Sequence, residues 1–137
     1  MIKHGIALEA KKALISGLHQ PTDDFKIALY EAQSKIGPET KTYVKEGEIS
    51  GKGYLAGGIK LRGYKVGAIG KSAYITFDDL EIKNATLGAS GAMIYNASKG
   101  NAALCVLKLD GDYNIYNGTF EIKFPKPTET NALILLA

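Results

Sequence analysis

Residues with reactive side chains are scarce in this chain of 137 residues. The one cysteine, Cys105, excludes an internal disulfide and a multi-cysteine zinc site. The two histidines, His4 and His19, are too few for a three-histidine metal centre. Cys105 lies within the apolar run AALCVLKL, which predicts an inert, buried thiol rather than a nucleophile.

Two groups of oxygen-bearing side chains are candidates, one for acid–base catalysis and one for calcium binding. Neither group has the full pattern that its chemistry requires. Asp78 and Asp79, close to Glu81, are paired acids of the kind that acid–base catalysis uses, but neighbouring side chains of a strand point to opposite faces. Four oxygen-bearing residues are spaced like the ligands of a calcium loop: Asp110, Asp112, Asn114 and Glu121. Ile115 stands where that loop requires glycine. We therefore expect no catalytic residue, no metal and no cofactor.

Glycine is over-represented, with 16 of 137 residues against a usual share of about 7%. The densest tract is GKGYLAGGIKLRGYKVGAIGK, residues 51–71. Its first six residues match a dinucleotide-binding pattern, but strand-like residues follow where that motif needs a helix. The tract therefore predicts turns, bulges and close backbone approaches instead of a nucleotide site.

Charge and hydropathy exclude further classes of function. The net charge of +3 is small and spread along the chain, which does not indicate nucleic-acid binding. No apolar run reaches the roughly 18–20 residues that a membrane span needs. Glu9, Lys11 and Lys12 interrupt the core that a signal peptide would require. We expect a soluble domain that is made and assembled inside a cell, without nucleic-acid or membrane partners.

Residues 2–18 carry the one helical pattern. Five apolar residues recur there at three- and four-residue spacing: Ile6, Ala10, Ala13, Leu14 and Leu18. Gly17 and Pro21 favour an end to the helix soon afterwards. This pattern predicts a helical arm within residues 1–20, which either docks on a partner subunit or caps the chain's own sheet.

Strand signals dominate residues 23–137. Residues 25–30 alternate apolar and other side chains, which predicts a half-buried strand, and residues 98–101 read as a hairpin loop between two strands. Residues 110–112 read as another turn, and the apolar run 132–136 as a last strand that is buried on both faces or pairs with another chain. The spacing predicts one domain over residues 1–137, mainly β. Its expected form is an antiparallel β-sandwich or small barrel of about 7–9 short strands with one N-terminal α-helix.

Three segments together resemble the small virion structural proteins of tailed bacteriophages. They are residues 25–61 with the tract GEISGKGYLAGG, the strand pair GAMIYNASKGNAALCVLKL at residues 91–109, and the apolar C-terminal strand. The resemblance implies a non-enzymatic decoration or cement protein that binds and stabilises the assembled head. A neck, tail or fibre-attachment component is the alternative within the same particle. In either case the resemblance implies a homo-oligomer located in the virion after assembly in the host cytoplasm. Its partners would then be the major capsid protein or neck and tail proteins.

Apolar residues in the two segments most suited to assembly are the predicted contacts. They are Ile6, Leu14 and Leu18 on the helix, and Tyr54 and Leu55 in the glycine tract. A different class of function, a carbohydrate-binding β-sandwich, rests on the tyrosines, which combine an apolar body with a polar tip. The eight are Tyr30, Tyr43, Tyr54, Tyr64, Tyr74, Tyr95, Tyr113 and Tyr116.

Overall fold

The fold is mainly β, in two antiparallel sheets. The computed structural model describes residues 2, 5–6, 14, 17–128 and 131–136, with the backbone alone at residues 110–113. These residues form eight strands: β1 Gly5–Ile6, β2 Phe25–Tyr30, β3 Ile59–Lys60, β4 Lys65–Ile69, β5 Ser72–Thr76, β6 Leu80–Asn96, β7 Ala102–Ile122 and β8 Ile134–Leu136. The large sheet has the order β1-β7-β6-β2-β3 and the small sheet the order β4-β5-β8. The prediction of a mainly β, antiparallel chain is confirmed.

The predicted N-terminal helix is wrong at Gly5 and Ile6. These two residues form strand β1, which pairs antiparallel with Val106 and Cys105 of β7. This pairing gives hydrogen-bond partners to backbone N–H and C=O groups on the outer side of β7. A helix in place of β1 would leave those groups without strand partners. Most of the remaining prediction over residues 2–18 lies outside the described residues. In the part of the chain that the structure describes, no helix has the length and apolar character needed to cross a bilayer.

Strand β2 is an inner strand of the large sheet, between β6 and β3. It covers the residues predicted, but it is not half-buried: Ala28 and Tyr30, expected on an outer face, are fully buried like Ile27 and Leu29. The loop after β2 accounts for the difference, because the Tyr30 hydroxyl donates to the carbonyl oxygen of Val44 at 2.5 Å. Residues of this loop therefore cover the face of β2 that the alternation of its side chains would place in solvent.

Strands β6 and β7 form one long hairpin, where several short strands were expected. The predicted hairpin loop is confirmed, since β6 ends at Asn96 and β7 begins at Ala102. The predicted turn at residues 110–112 is wrong, because the backbone there continues within β7. Gly91 pairs with Lys108 and Ala89 with Tyr113, so residues 109–112 lie opposite a single residue of β6. Polar residues and a glycine accommodate a bulge here, and a bulge needs much the same local composition as a turn.

Two asparagines mark further irregularities of this hairpin. Asn84 and Asn117 have positive φ angles of 54° and 45° and lie beside register shifts between β6 and β7. Residues Leu107 and Phe120 of β7 line the same cavity of about 380 Å³, although a straight strand would hold them roughly 40 Å apart. The hairpin is therefore strongly curved, as bulged strands commonly are.

Replacing Asn117 with valine should lower the free energy of unfolding by about 1–2 kcal/mol, because a β-branched residue tolerates the left-handed region poorly. Asn117 is exposed, so the loss would come from the backbone and not from buried contacts. Replacing the same residue with glycine should change the free energy by less than about 0.5 kcal/mol. Urea unfolding of both variants measures the difference, and equal losses would contradict this account of the bulge.

Aromatic rings join the two sheets into one hydrophobic cluster. The Phe25 ring of β2 stacks on Tyr64 with 5.0 Å between ring centroids and meets Phe77 edge-on at 5.3 Å. Ile75 and Ile134 of the small sheet belong to the same cluster of buried residues. The predicted C-terminal strand thus pairs within its own chain, with β5.

A polar network ties the segment before β2 to the β6–β7 hairpin. Asn96 is fully buried, and its Nδ2 donates to Asp23 Oδ2 at 2.7 Å and lies 3.0 Å from His19 Nδ1. The Lys99 ammonium contacts both Asp23 oxygens at 3.1 Å and donates to the carbonyl oxygen of Leu18 at 3.2 Å. The network holds Leu18 and His19 against the hairpin loop.

The free energy of unfolding is expected to fall as the pH is lowered from about 7 to about 5. Burial lowers the pKa of His19 below its usual 6.5; nearby Lys99 acts in the same direction, and Asp23 opposes them. The unfolded chain therefore takes up a proton near pH 6.5 that the folded chain resists, so stability is lost below that value. For one group the loss is at most about 1.4 kcal/mol per pH unit.

His19→Phe is the matched control for this pH dependence, because phenylalanine keeps an aromatic ring beside Phe25 but does not titrate. Urea unfolding at the two pH values should show a smaller loss in the variant than in the wild type. His4 is present in both proteins, so the difference between them reports on His19. An equal loss in both would show that His19 is not the group responsible.

Candidate functional site

The loop of residues 51–58, called here the Leu55 loop, presents an apolar side chain to solvent. Leu55 is 75% exposed. Backbone hydrogen bonds close a turn on each side of this part of the loop, from Tyr54 N to Gly51 O at 3.2 Å and from Gly58 N to Leu55 O at 3.0 Å. Leu55 is therefore at the tip of a folded loop and not on an extended segment.

One end of the Leu55 loop is fixed to strand β6. Lys52 and Thr86 exchange two backbone hydrogen bonds, of 2.9 and 3.0 Å. The chain can come this close because residue 51 is glycine: a Cβ atom at Gly51 would lie 2.5 Å from the carbonyl oxygen of Thr86. This contact explains one glycine of the dense tract by its close backbone approach.

The other end is held by Glu48, and the group of Glu48, Tyr43, Tyr54 and Gly57 is called here the Glu48 clamp. The Glu48 carboxylate accepts hydrogen bonds from the Tyr43 hydroxyl at 2.5 Å, from the Tyr54 hydroxyl, and from the backbone N–H of Gly57 at 2.8 Å. Two of these donors belong to the Leu55 loop. Hydrogen bonds to an ionised acceptor are stronger than those between neutral groups, so the clamp holds the loop firmly.

Contacts with the large sheet extend the clamp. The Tyr54 hydroxyl accepts a hydrogen bond from the backbone N–H of Leu29 at 3.1 Å. The Tyr95 hydroxyl donates to the carbonyl oxygen of Gly57, and the Tyr95 ring lies 4.9 Å from that of Tyr43 between centroids. Strands β2 and β6 thus each contribute a group that positions the Leu55 loop.

The clamp tyrosines act as hydrogen-bond donors at neutral pH. Burial raises the pKa of Tyr43 and of Tyr54, and the hydrogen bond that each gives to Glu48 raises it further. Burial, followed by the nearby Glu48 charge, also raises the pKa of Tyr95. Hydroxyls with raised pKa values stay protonated, which suits a positioning role and not that of a general base.

The five predicted contact residues differ in their exposure and in their contacts. Leu55 is exposed at the loop tip, whereas Tyr54 beside it is half-buried and committed to the Glu48 clamp. Ile6 and Leu14 are partly buried against the hydrophobic core. Leu18 is 38% exposed beside the His19 network. Of the two residues predicted in the glycine tract, Leu55 is therefore exposed to solvent, and Tyr54 holds the loop in place.

Glu48, Tyr43 and Tyr95 were not predicted for this site, although both tyrosines stand among the eight considered for carbohydrate binding. Tyr95 lies 38 residues from its partner Gly57 along the chain. No local pattern links them, since the contact depends on the pairing of β2 with β6. The one local signal is the spacing of Tyr43, Glu48 and Tyr54, which alone does not indicate a cluster.

The acidic candidates lie at the surface, whereas the thiol candidate lies in the core. Asp78 and Asp79 are exposed, and Asp79 Oδ1 accepts a hydrogen bond from the backbone N–H of Phe124 at 2.9 Å. Cys105 is buried as predicted, and burial raises the pKa of its thiol to about 12. Among the described residues, no three histidine, cysteine, aspartate or glutamate side chains come together as a metal site.

No family model matches this chain, and no curated protein and no solved structure matches it significantly. The Leu55 loop is therefore interpreted from its own geometry. It is a preformed loop, fastened to two strands and to the Glu48 clamp, that presents one apolar side chain.

Proposed function

We propose that this chain is a structural protein of a virus particle, a small virion component of tailed bacteriophages, and that the Leu55 loop contacts a neighbouring subunit. The observation that supports this proposal is the exposure of Leu55 on a loop that is fixed at both ends. A preformed loop loses little conformational freedom when it binds, so more of the contact energy appears as affinity. An exposed leucine in such a loop is suited to a pocket on a partner protein.

Within this proposal the chain is a decoration or cement protein of the assembled head. Each copy makes a modest contact, and many copies arranged by symmetry reinforce the shell. The two sheets then serve as an antiparallel sandwich that carries the Leu55 loop. The ring contacts of Phe25 and Phe77, which join the sheets, favour that arrangement.

Copy number tests the proposal and separates head from neck or tail. Particles made by the genome that encodes this chain are purified, and the chain is counted by quantitative mass spectrometry against the major capsid protein. A decoration protein should be present in hundreds of copies, whereas a neck, tail or fibre-attachment protein should be present in about 3 to 12. A chain found in the cell lysate but not in the particles would overturn the proposal.

The carbohydrate-binding alternative rests on exposed tyrosines, and their placement does not favour it. Tyr30, Tyr43, Tyr54 and Tyr95 direct their hydroxyls to Glu48 or to backbone oxygens. Tyr116 is 83% exposed. Among the tyrosines whose side chains the structure describes, this is one exposed ring, which provides less than the aromatic surface on which a sugar would stack.

A further inference from the structure

Strand β4 leaves one side of its backbone open at the edge of the small sheet. In the part of the chain that the structure describes, β4 pairs with β5 and with no other strand. The strands at the other sheet edges, β1, β3 and β8, have two or three residues each, whereas β4 has five residues in unbroken register with β5. A regular open edge of this kind is a surface on which another extended chain can pair.

The pairing with β5 determines which backbone groups of β4 point outward. A two-residue turn separates Ile69 from its partner Ser72, so these two form a hydrogen-bonded pair. Such pairs alternate along an antiparallel ladder, so the N–H and C=O groups of Val66 and Ala68 point away from β5. Outside the ladder, none of the described residues makes a backbone hydrogen bond to either of them.

The side chains at these two positions form an exposed apolar strip. Val66 is 58% exposed and Ala68 is exposed as well. They are two residues apart on a strand, so both side chains point to the same face. Val66 also lines a mainly aliphatic cavity of about 220 Å³ together with Ile75 and Leu136. A residue paired with Val66 or Ala68 across the open edge would point to this face too, where an aliphatic side chain fits best.

The charges along this edge are positive. Residues 60–77 contain no aspartate or glutamate and four cations: Lys60, Arg62, Lys65 and Lys71. Lys60 pairs with Asp24 at 3.0 Å, whereas the other three cations have no ion pair with a described residue. Asp78 lies beside Gly63 and offsets one of these charges. A second copy of this chain would bring the same cations to the edge, which disfavours pairing of two copies and favours an acidic partner.

We propose that the open edge of β4 binds an extended segment of a partner protein as an added antiparallel strand, with aliphatic residues opposite Val66 and Ala68 and an acidic residue opposite Lys65. Backbone pairing supplies hydrogen bonds at Val66 and Ala68, and the aliphatic residues cover the exposed strip. The acidic residue adds charge complementarity. The proposal does not rest on a virion function, because it follows from the edge itself.

A short peptide with blocked termini, Glu-Ser-Thr-Val-Thr-Val-Glu, tests this proposal on the full chain. In the antiparallel register its valines lie opposite Ala68 and Val66, and its last glutamate lies opposite Lys65. NMR titration should show saturable binding with a Kd of about 1 mM or tighter. Hydrogen exchange of the Val66 and Ala68 amides should slow, whereas that of the Gly67 amide, which already bonds to β5, should change little.

Matched peptides separate the contributions of backbone and charge. N-methyl groups on both valines keep the side chains and charges but remove the N–H donors, so the affinity should fall by at least about tenfold. Glutamine in place of both glutamates should weaken binding by about two- to fivefold, because these ion pairs are exposed. Ala68→Pro removes one outward N–H of the protein and should weaken binding by at least about fivefold. Ala68→Ser keeps this group and should bind like the wild type.

Equal affinity of the N-methylated peptide, or the absence of saturable binding, would overturn the proposal. An unchanged affinity of the glutamine peptide would overturn its acidic part. If Ala68→Pro does not fold, the N-methylated peptide still decides the question. Slow exchange of the Val66 and Ala68 amides without peptide, together with a dimer in sedimentation, would assign the edge to a second copy and would also overturn the proposal. None of these results bears on the Leu55 loop.

Discussion

Replacing Glu48 with alanine is expected to lower the free energy of unfolding by about 3 kcal/mol. The substitution removes the common acceptor of three donors, namely the hydroxyls of Tyr43 and Tyr54 and the backbone N–H of Gly57. These groups are partly buried, so water replaces the lost acceptor only in part. The expected loss therefore exceeds that of a single surface substitution, which is usually below about 0.5 kcal/mol.

Glu46→Ala is the matched control, because Glu46 is two residues away and exposed. It should change the free energy of unfolding by less than about 0.5 kcal/mol. Glu48→Gln should fall between the two, because the amide keeps one acceptor oxygen without the charge. Urea unfolding followed by circular dichroism measures all three variants, since the chain has no tryptophan for fluorescence. A Glu48→Ala variant as stable as Glu46→Ala would show that the clamp contributes little.

Replacing Leu55 with aspartate should leave the free energy of unfolding nearly unchanged, because the side chain is 75% exposed. Binding to particles that lack the chain should weaken by at least about tenfold. The leucine would no longer bury apolar surface, and the aspartate would carry a charge into the contact at a desolvation cost. Sedimentation of particles with labelled protein measures the bound fraction.

Tyr116→Asp is the control for this second prediction, because Tyr116 is another exposed apolar residue, on strand β7. It should bind particles like the wild type. Weakening of both variants would indicate a general effect of added negative charge. If Leu55→Asp bound particles as tightly as the wild type, the Leu55 loop would not be part of the contact. Glu48→Ala, in contrast, should weaken binding although Leu55 is still present, because the loop then has to be ordered at the time of binding.

Local patterns predicted those parts of the fold that depend on neighbours in the chain. The alternation at residues 25–30 predicted the bounds of β2, and the composition at residues 98–101 predicted the hairpin loop. The prediction of a turn at residues 110–112 was wrong, because the composition of these residues suits a bulge as well as a turn. The pairing of Ala89 with Tyr113 shows that the segment is a bulge. The helix prediction was wrong at Gly5 and Ile6, because the spacing of apolar residues contains no information about their pairing with β7.

The candidate site was predicted in part for the same reason. Tyr54 and Leu55 were identified from an apolar pair inside a glycine-rich tract, which is a local signal. Their different roles were not predicted, since Tyr54 is turned inward by Glu48 and by Leu29 of β2. The Tyr95 contact to Gly57 spans 38 residues and exists only once the sheet has formed.

A cryo-electron-microscopy map of the purified particle tests the central claim most directly. The map should show the chain on the particle surface with Leu55 buried in an apolar pocket of a neighbouring subunit. The Glu48 clamp should keep the same hydrogen bonds, because the loop is already formed in the free protein. A map with the chain bound through another surface and Leu55 in solvent would contradict the account.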